Sequence, residues 1–379
     1  MLNLIIQICQ ESPVVFLLDF CYICRSMSEF EKYIRQGEPQ QVEKARIWQT
    51  AIGLQDVDGL KTSPYLQETA EKHIEGEITI DEVRSLINSY YESKDARENV
   101  EERTEEADKV SAAITAVLSE NTFTFSPDYL ISIHRRLFTG VYKFAGQIRD
   151  YNISKKEWVL DGASVLYSDA YMIRQTLEYD FREEKGFDYS SISTADAIKH
   201  IARFISGIWQ IHSFGEGNTR TTAVFTIKYL RSFGFDIDND LFEKHSWYFR
   251  NALVRANYNN LSKGITASDE YLLRFFRNLI LGERTPLSNR EMHISSQSIT
   301  KVSSKSQIDT LNCTLEELAV LKAIYSNPQI TQNGLKNAIN KSIATVKRIT
   351  ISLQEKGMLA RKNGKRDGWW EVLVDLPTL

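Results

Sequence analysis

Cysteine, charge of one sign and long apolar runs are all scarce in this chain. Four cysteines occur in 379 residues, and Cys9, Cys21 and Cys24 lie before the soluble body begins. That distribution excludes a disulfide framework, and because no second pair follows Cys21 and Cys24 it also excludes a four-ligand zinc site. A reduced cytoplasmic protein is the expectation. With 46 Lys and Arg against 50 Asp and Glu the net charge is only −4, which excludes a protein that coats nucleic acid with its whole surface. Residues 1–24 are apolar but contain no Lys or Arg, and the run Val14 to Leu18 stops at Asp19. Neither a signal peptide nor a membrane span fits such a segment.

What is present is enough to fold. At 42% hydrophobic and 25% charged residues the chain can bury real cores, and its length suits two or three domains. The composition changes at Met27-Ser28-Glu29, where ordinary charged sequence starts. Residues 1–26 are therefore expected to be an upstream extension of the reading frame, with a partner-binding peptide as the alternative. Helical patterns with Ala45, Trp48, Ile52 and then Ile80, Val83, Leu86, Ile87 predict a small helical module over 27–94. A longer helix-rich body spans 95–281. The Ser-rich stretch 282–310 has the composition of a linker, and 311–379 form a compact C-terminal domain. No internal repeat is visible.

The most informative segment runs from Ser193 to Leu230. Ile198, Ile201, Ala202, Ile205, Ile208 and Trp209 form one helical stripe, Ser193 with Asp196 resembles a capping box, and His212 continues the stripe. Gly215 and Gly217 break the pattern before a second helix begins near Thr219. A glycine-bearing loop thus enters a helix N-terminus, whose first N–H groups lack internal partners and attract anions. The two glycines let backbone approach a phosphate, Arg220 offers a guanidinium fork, and Asn218 can donate to a phosphate oxygen. Glu216 is a hard oxygen ligand suited to Mg²⁺. His212, at the C-terminal end of its helix, is a candidate general base with basicity raised by the helix dipole.

Read together, His212, Phe214, Glu216, Gly217, Asn218 and Arg220 resemble the Fic family signature H-x-F-x-[DE]-G-N-x-R in order and spacing. Ile133-His134-Arg135-Arg136-Leu137-Phe138 followed by Phe144-Ala145-Gly146-Gln147-Ile148-Arg149 is similar to the segments upstream of Fic active sites. The resemblance covers roughly residues 110–281 and implies a mainly α fold: a Fic helical core with a small β-hairpin flap, expected between Arg149 and Leu160. The flap residues Ile153, Ser154 and Lys155 would align an extended target segment by strand addition. Most members transfer AMP from ATP to a Tyr, Thr or Ser hydroxyl of a protein, releasing pyrophosphate. Carried over by position, His212 would deprotonate that hydroxyl and Glu216 would hold Mg²⁺. Gly217, Asn218 and Thr219 would cradle the α-phosphate beside Gly215, and Arg220 would bind the β-phosphate. Asn257, in Ala252-Leu253 and Ala256-Asn257, matches the segment that reaches ribose or adenine.

Three positions depart from the family pattern, which usually has Pro at Ser213, Gly at Thr219 and a second Arg at Ala223. That second Arg holds the γ-phosphate, so its loss removes a charge-assisted contact of about 1.5–3 kcal/mol. An Arg restored at Ala223 is accordingly expected to raise ATP affinity. The N-terminal module, through Asp58-Gly59-Leu60 and Gly76 to Val83, is similar to the small antitoxins of Fic toxins. Their inhibitory motif [ST]-x-x-x-E-[GN] reads here Leu54-Gln55-Asp56-Val57-Asp58-Gly59, with Asp for Glu. Asp58 is one inhibitory candidate and Glu120, in Ser119-Glu120-Asn121, a second. With both halves of the inhibitory ion pair altered, removing Asp58 is expected to activate little.

The C-terminal pattern, with helices over Leu315 to Ile324, Gln332 to Ile339 and Ser342 to Lys356 and then a hairpin from Gly357, resembles a winged helix-turn-helix. Thr345, Lys347, Arg348 and Thr350 on the third helix, and Lys365 and Arg366 at the wing tip, would face duplex DNA. Two readings remain open. One is a protein nucleotidyltransferase using ATP and Mg²⁺; the other is a DNA-binding transcriptional regulator with a nucleotide-binding, catalytically weak Fic body. Expected partners are a protein bearing a hydroxyl side chain, duplex DNA and a second copy of the chain, with no membrane.

Overall fold

A computed structural model describes residues 30–93, 103–235, 237, 240–296, 313–363 and 368–376. The suspected extension 1–26, much of the Ser-rich stretch and the wing residues Lys365 and Arg366 lie outside the described residues.

The N-terminal module begins with α1 (Glu31–Gln36) and α2 (Pro39–Gly53). Pro39, which has no N–H to satisfy, opens α2, and Glu38 with Gln41 closes a capping box that gives partners to the N–H groups of both residues. The helix runs on into a 3-10 turn, Leu54–Asp58, that ends at the left-handed Gly59. Next come α3 (Pro64–Glu75), capped by Ser63, and α4 (Ile80–Glu92), capped reciprocally by Thr79 and Glu82. Each such cap contributes about 1 kcal/mol. Trp48, Leu66, Ala70, Ile74, Val83 and Ile87 form this module's own core, closed by Ala112 of α5 (Thr104–Ser119).

The same two helices face a second, larger core. Ile47, Ala51 and Leu54 at the end of α2, and Val110, Ile114 and Val117 of α5, pack into it. The module and the main body are therefore joined through shared helices. Around that core lie α6 (Pro127–Phe138), α7 (Ile173–Gly186), α8 (Thr194–Ile211), α9 (Asn218–Ser232), α10 (Asp240–Ala256), α11 (Glu270–Leu281) and the short α12 (Asn289–Met292). Helix α9 is central: every residue from Asn218 to Leu230 is buried. Lys228 finds internal partners there, its Nζ donating to the carbonyls of Val117 and Glu120 at the end of α5.

Residues 152–168 run out and back across the mouth of the site. Half-buried Ile153 and Lys155 alternate with exposed Ser154 and Lys156, as the sequence predicted for the flap. The return is held by a turn, in which Glu157 N–H donates to Ala163 O and Gly162 N–H to Glu157 O, each at 3.0 Å. No strand ladder is assigned there. The antiparallel ladder among the described residues lies at the C-terminal end, between β1 (Leu359–Lys362) and β2 (Trp369–Val372).

That hairpin follows α13 (Leu315–Ser326), α14 (Gln332–Ala338) and α15 (Ile343–Glu355), each within about two residues of the expected spans. The C-terminal helices dock on the main body: Thr194 at the start of α8 donates from N–H and Oγ1 to Cys313 O, and Lys322 Nζ donates to Ile280 O. No helix among the described residues is long and apolar enough to cross a membrane.

Candidate active site

Helix α8 stops at His212, which adopts a left-handed conformation (φ 51°, ψ 59°). A non-glycine residue tolerates that geometry only when its surroundings fix it. Arg149 does so: it is 4% exposed, and its guanidinium donates to the carbonyls of His212 (2.7 Å), Ile211 (3.3 Å), Tyr151 and Ser168. One side chain thus caps the negative end of α8 and ties it to the flap.

The His212 imidazole is 3% exposed and lies 4.1 Å, centroid to centroid, from the Tyr167 ring. Its Nδ1 faces Trp209 O at 3.3 Å. A carbonyl can only accept, so Nδ1 carries the proton and Nε2 presents a free lone pair. That Nε2 is buried and has no hydrogen-bond partner among the described residues. The expectation of raised basicity is overturned, because burial drives the imidazole well below its ordinary range, helped by the charge of Lys155. Desolvation outweighs the helix dipole, and His212 is a neutral base at pH 7.

The loop that follows is braced from within and from below. Phe214 N–H donates to Asn218 Oδ1 (3.0 Å), and Asn218 Nδ2 returns a bond to Phe214 O (2.7 Å). The Asn218 side chain closes the loop, and its backbone N–H belongs to the open first turn of α9. Gly217 has φ 76°, and a Cβ there would stand 2.3 Å from Phe138 Cζ, so only glycine fits. A Cβ on Gly215 would meet Tyr151 Oη at 2.8 Å. Trp209 Nε1 donates to Thr219 Oγ1 at 3.0 Å, joining the end of α8 to the start of α9. Beneath the loop, His134 stacks on Phe214 at 3.7 Å.

Glu216 carries the one carboxylate of the loop, about half exposed, and Lys155 of the flap pairs with it at 2.8 Å. Among the described residues no cluster of three or more metal-ligating side chains exists. Mg²⁺ in nucleotide sites uses one or two carboxylates together with phosphate oxygens and water, and Glu216 fits that donor set.

Arg220 is fully buried. Its NH2 meets Glu106 Oε1 at 2.7 Å and Asp58 Oδ2 at 2.9 Å, NH1 donates to Gln55 Oε1 at 3.0 Å, and the guanidinium lies over the Phe138 ring. Asp58 also meets Arg250 of α10, at 3.3 Å through Oδ1. Asp58, Lys155, Glu157, His212, Glu216, Arg250 and the residues from Gly217 to Thr219 line one cleft. Only about 10 Å³ of it is open, room for about one water molecule.

Asp58 therefore stands in the cleft, although its partners differ from the family pattern. Glu120 does not share that place: its carboxylate is bound to Arg136 in a surface ion pair. Ala223 has no exposed surface and packs in the main core, so an Arg there would have to enter apolar packing before it could reach an anion. Asn257 is held by Ser206 and by Leu253 O and is not among the cleft-lining residues. On α15, Lys347 and Arg348 are exposed, Thr345 is half-buried and pairs with Ser342, and Thr350 is buried with its hydroxyl on Lys347 O. Thr350 is thereby removed from the expected DNA-facing set.

Arg250, Glu157 and Glu106 were not legible in the sequence, because no spacing links them to the loop. His134 and Arg149 lay in segments that carried the resemblance, yet their roles as braces needed the fold.

Residues 124–230 match the model of the Fic/DOC family, and the chain carries a Fic/DOC domain there. A curated relative, protein adenylyltransferase VbhT of Bartonella schoenbuchensis, is 28% identical over 136 residues, covering 36% of this chain. The match spans 27% of that relative's length. Similar solved structures include the N-terminal FIC domain of the Bep8 protein from Bartonella sp. 1-1C, with 20% identity and a TM-score of 0.37 over 48% of this chain and 88% of that one. A Fic family protein from Desulfovibrio desulfuricans G20 has 12% identity and a TM-score of 0.44 over 93% of each chain.

Proposed function

We propose that the Fic/DOC domain at residues 124–230 makes this chain a protein nucleotidyltransferase that moves AMP from ATP to a hydroxyl side chain of a protein. The observation that carries this reading is the free, buried Nε2 of His212, set beside Glu216 and the open first turn of α9. A base needs a lone pair aimed into the cleft, and the donor role of Nδ1 fixes which nitrogen supplies it. Nε2 would take the proton of the target hydroxyl as its oxygen bonds to the α-phosphorus. The bond to the β-phosphate breaks and pyrophosphate leaves.

The backbone N–H groups at the start of α9 would hold the α-phosphate oxygens, as helix N-termini do. Arg220 would meet the next phosphate. Glu216 would hold Mg²⁺, which when bound supplies charge neutralisation between phosphates. Lys155, now on Glu216, would be free to meet an incoming acidic group. The flap 152–168 would present its alternating edge to the target, the arrangement in which strand addition works.

Asp58 opposes all of this. Its carboxylate occupies the anion position beside Arg220, and the cleft around it holds no space for a nucleotide. The unaltered chain is accordingly expected to transfer slowly, and Asp58→Ala to transfer faster, which reverses the expectation drawn from sequence. The test uses α-labelled and γ-labelled ATP with the full chain, Asp58→Ala and Asp58→Ala with His212→Ala. Protein labelled from the α position, dependent on His212, supports AMP transfer. Labelling from the γ position alone would replace it with phosphotransfer, and no labelling of the Asp58→Ala protein would overturn the reading.

A further inference from the structure

We infer that Arg250, reaching the cleft from α10, supplies the second guanidinium of its anion site, so that Arg220 and Arg250 together grip the outer phosphates of a nucleoside triphosphate. The inference rests on the nucleotidyltransferase reading and names the residue that takes over where Ala223 leaves α9 without a second arginine.

The arrangement around Asp58 is that of an anion held between two forks. Arg220 NH2 takes Oδ2 at 2.9 Å and Arg250 NH1 takes Oδ1 at 3.3 Å. The two arginines come from different helices and converge on one carboxylate, as guanidinium groups converge on a phosphoryl group. Each also has a buried Nε with no hydrogen-bond partner among the described residues.

Charge supports the same conclusion. Arg103, Glu106, Arg220, Asp58, Arg250 and Glu157 form one alternating row of ion pairs, three guanidiniums against three carboxylates. The row is neutral only while Asp58 belongs to it. When that carboxylate withdraws, one positive charge is left over in a buried place, and an anion is required to balance it. Arg250 is already held in position for such an anion, since its NH2 is fixed by the buried Glu157 carboxylate and its NH1 donates to Val57 O at 2.7 Å.

The experiment measures binding by titration calorimetry to the full chain with Mg²⁺ present, using ATP, inorganic tripolyphosphate and AMP. Asp58→Ala should bind ATP and tripolyphosphate at least ten-fold more tightly than the unaltered chain. Adding Arg250→Ala should cut both affinities at least ten-fold and leave AMP unchanged. If Arg250→Ala melts before it can be titrated, Arg250→Gln, which keeps a donor for Val57 O, should show the same loss. Equal tripolyphosphate and ATP affinity with and without Arg250, or no tripolyphosphate binding by Asp58→Ala, overturns the inference. Binding of tripolyphosphate that depends on Arg250, with no label transferred from ATP, upholds the inference and removes the nucleotidyltransferase reading instead.

Discussion

His134 donates from Nε2 to the backbone carbonyl oxygen of Glu216 at 3.0 Å, while its Nδ1 accepts the N–H of Gly146 at 2.8 Å. Both bonds together require the neutral ring with its proton on Nε2. Burial holds this imidazole down at about 4, and His73, whose Nδ1 accepts from Trp48 Nε1, is held down to about 4 in the same way. For a depressed base the unfolded chain binds more protons between the two values, so stability rises with pH across that window. Stability should be whole above pH 6.5 and fall as the pH drops towards 4, by about 3 kcal/mol for each of the two histidines. Urea melts of the unaltered chain and His134→Gln at pH 7 and pH 4.5 check this. The variant should be less stable at pH 7 and should lose less on acidification.

His212 gives a second pH signature, this time in rate. A base with an ordinary imidazole value would lose activity as the pH falls through about 6.5. Burial moves His212 well below that, so transfer by the Asp58→Ala protein should hold steady through pH 6 and decline only at more acid values. An acid limb centred near 6.5 would show that another group sets the protonation state.

Lys155 would compete with any cation for the Glu216 carboxylate. Replacing Lys155 by Met should free Glu216 and lower the Mg²⁺ concentration needed for half-maximal nucleotide binding several-fold, while Glu216→Gln should raise it. An unchanged Mg²⁺ midpoint in both variants would take the metal away from Glu216.

On α15, Lys347 and Arg348 are the expected DNA-facing cations that the structure leaves exposed, Arg348 lying 3.9 Å from Glu316. If they neutralise phosphates, changing both to Ala should flatten the salt dependence of duplex binding by about two units, at about 0.9 per phosphate. A chain that binds no duplex at low salt would reduce this element to a docking face.

Much of the site is local and was legible for that reason. The stripe ending at Trp209, the Ser193 cap, the glycines of the loop and the alternation from Ile153 to Glu157 depend on neighbours a few residues away. What the sequence concealed is set by distant chain crossing. Asp58 reads as a weakened inhibitory residue next to Ala223, yet α10 brings Arg250 to meet it from far along the chain. His212 reads as a strengthened base from its place on a helix end, and only the packing of Tyr167 and Trp209 around it reveals that lost hydration decides the matter. The two effects have opposite signs, and only the degree of burial ranks them.

The 3-10 turn bearing Asp58 is continuous with α2, and Leu54 and Val57 within it are wholly buried. Its carboxylate is consequently a ligand that the protein carries with it, present at an effective concentration that dilution leaves untouched. Short flexible tethers already reach the millimolar range, and a turn anchored in a core searches far less space. If the cleft takes a nucleotide as proposed, that nucleotide would meet a competitor of fixed strength, and its apparent affinity would be its intrinsic one multiplied by the fraction of molecules in which Asp58 has left the cleft. Anything that loosens the packing of Leu54 and Val57 would raise that fraction without touching a single cleft residue.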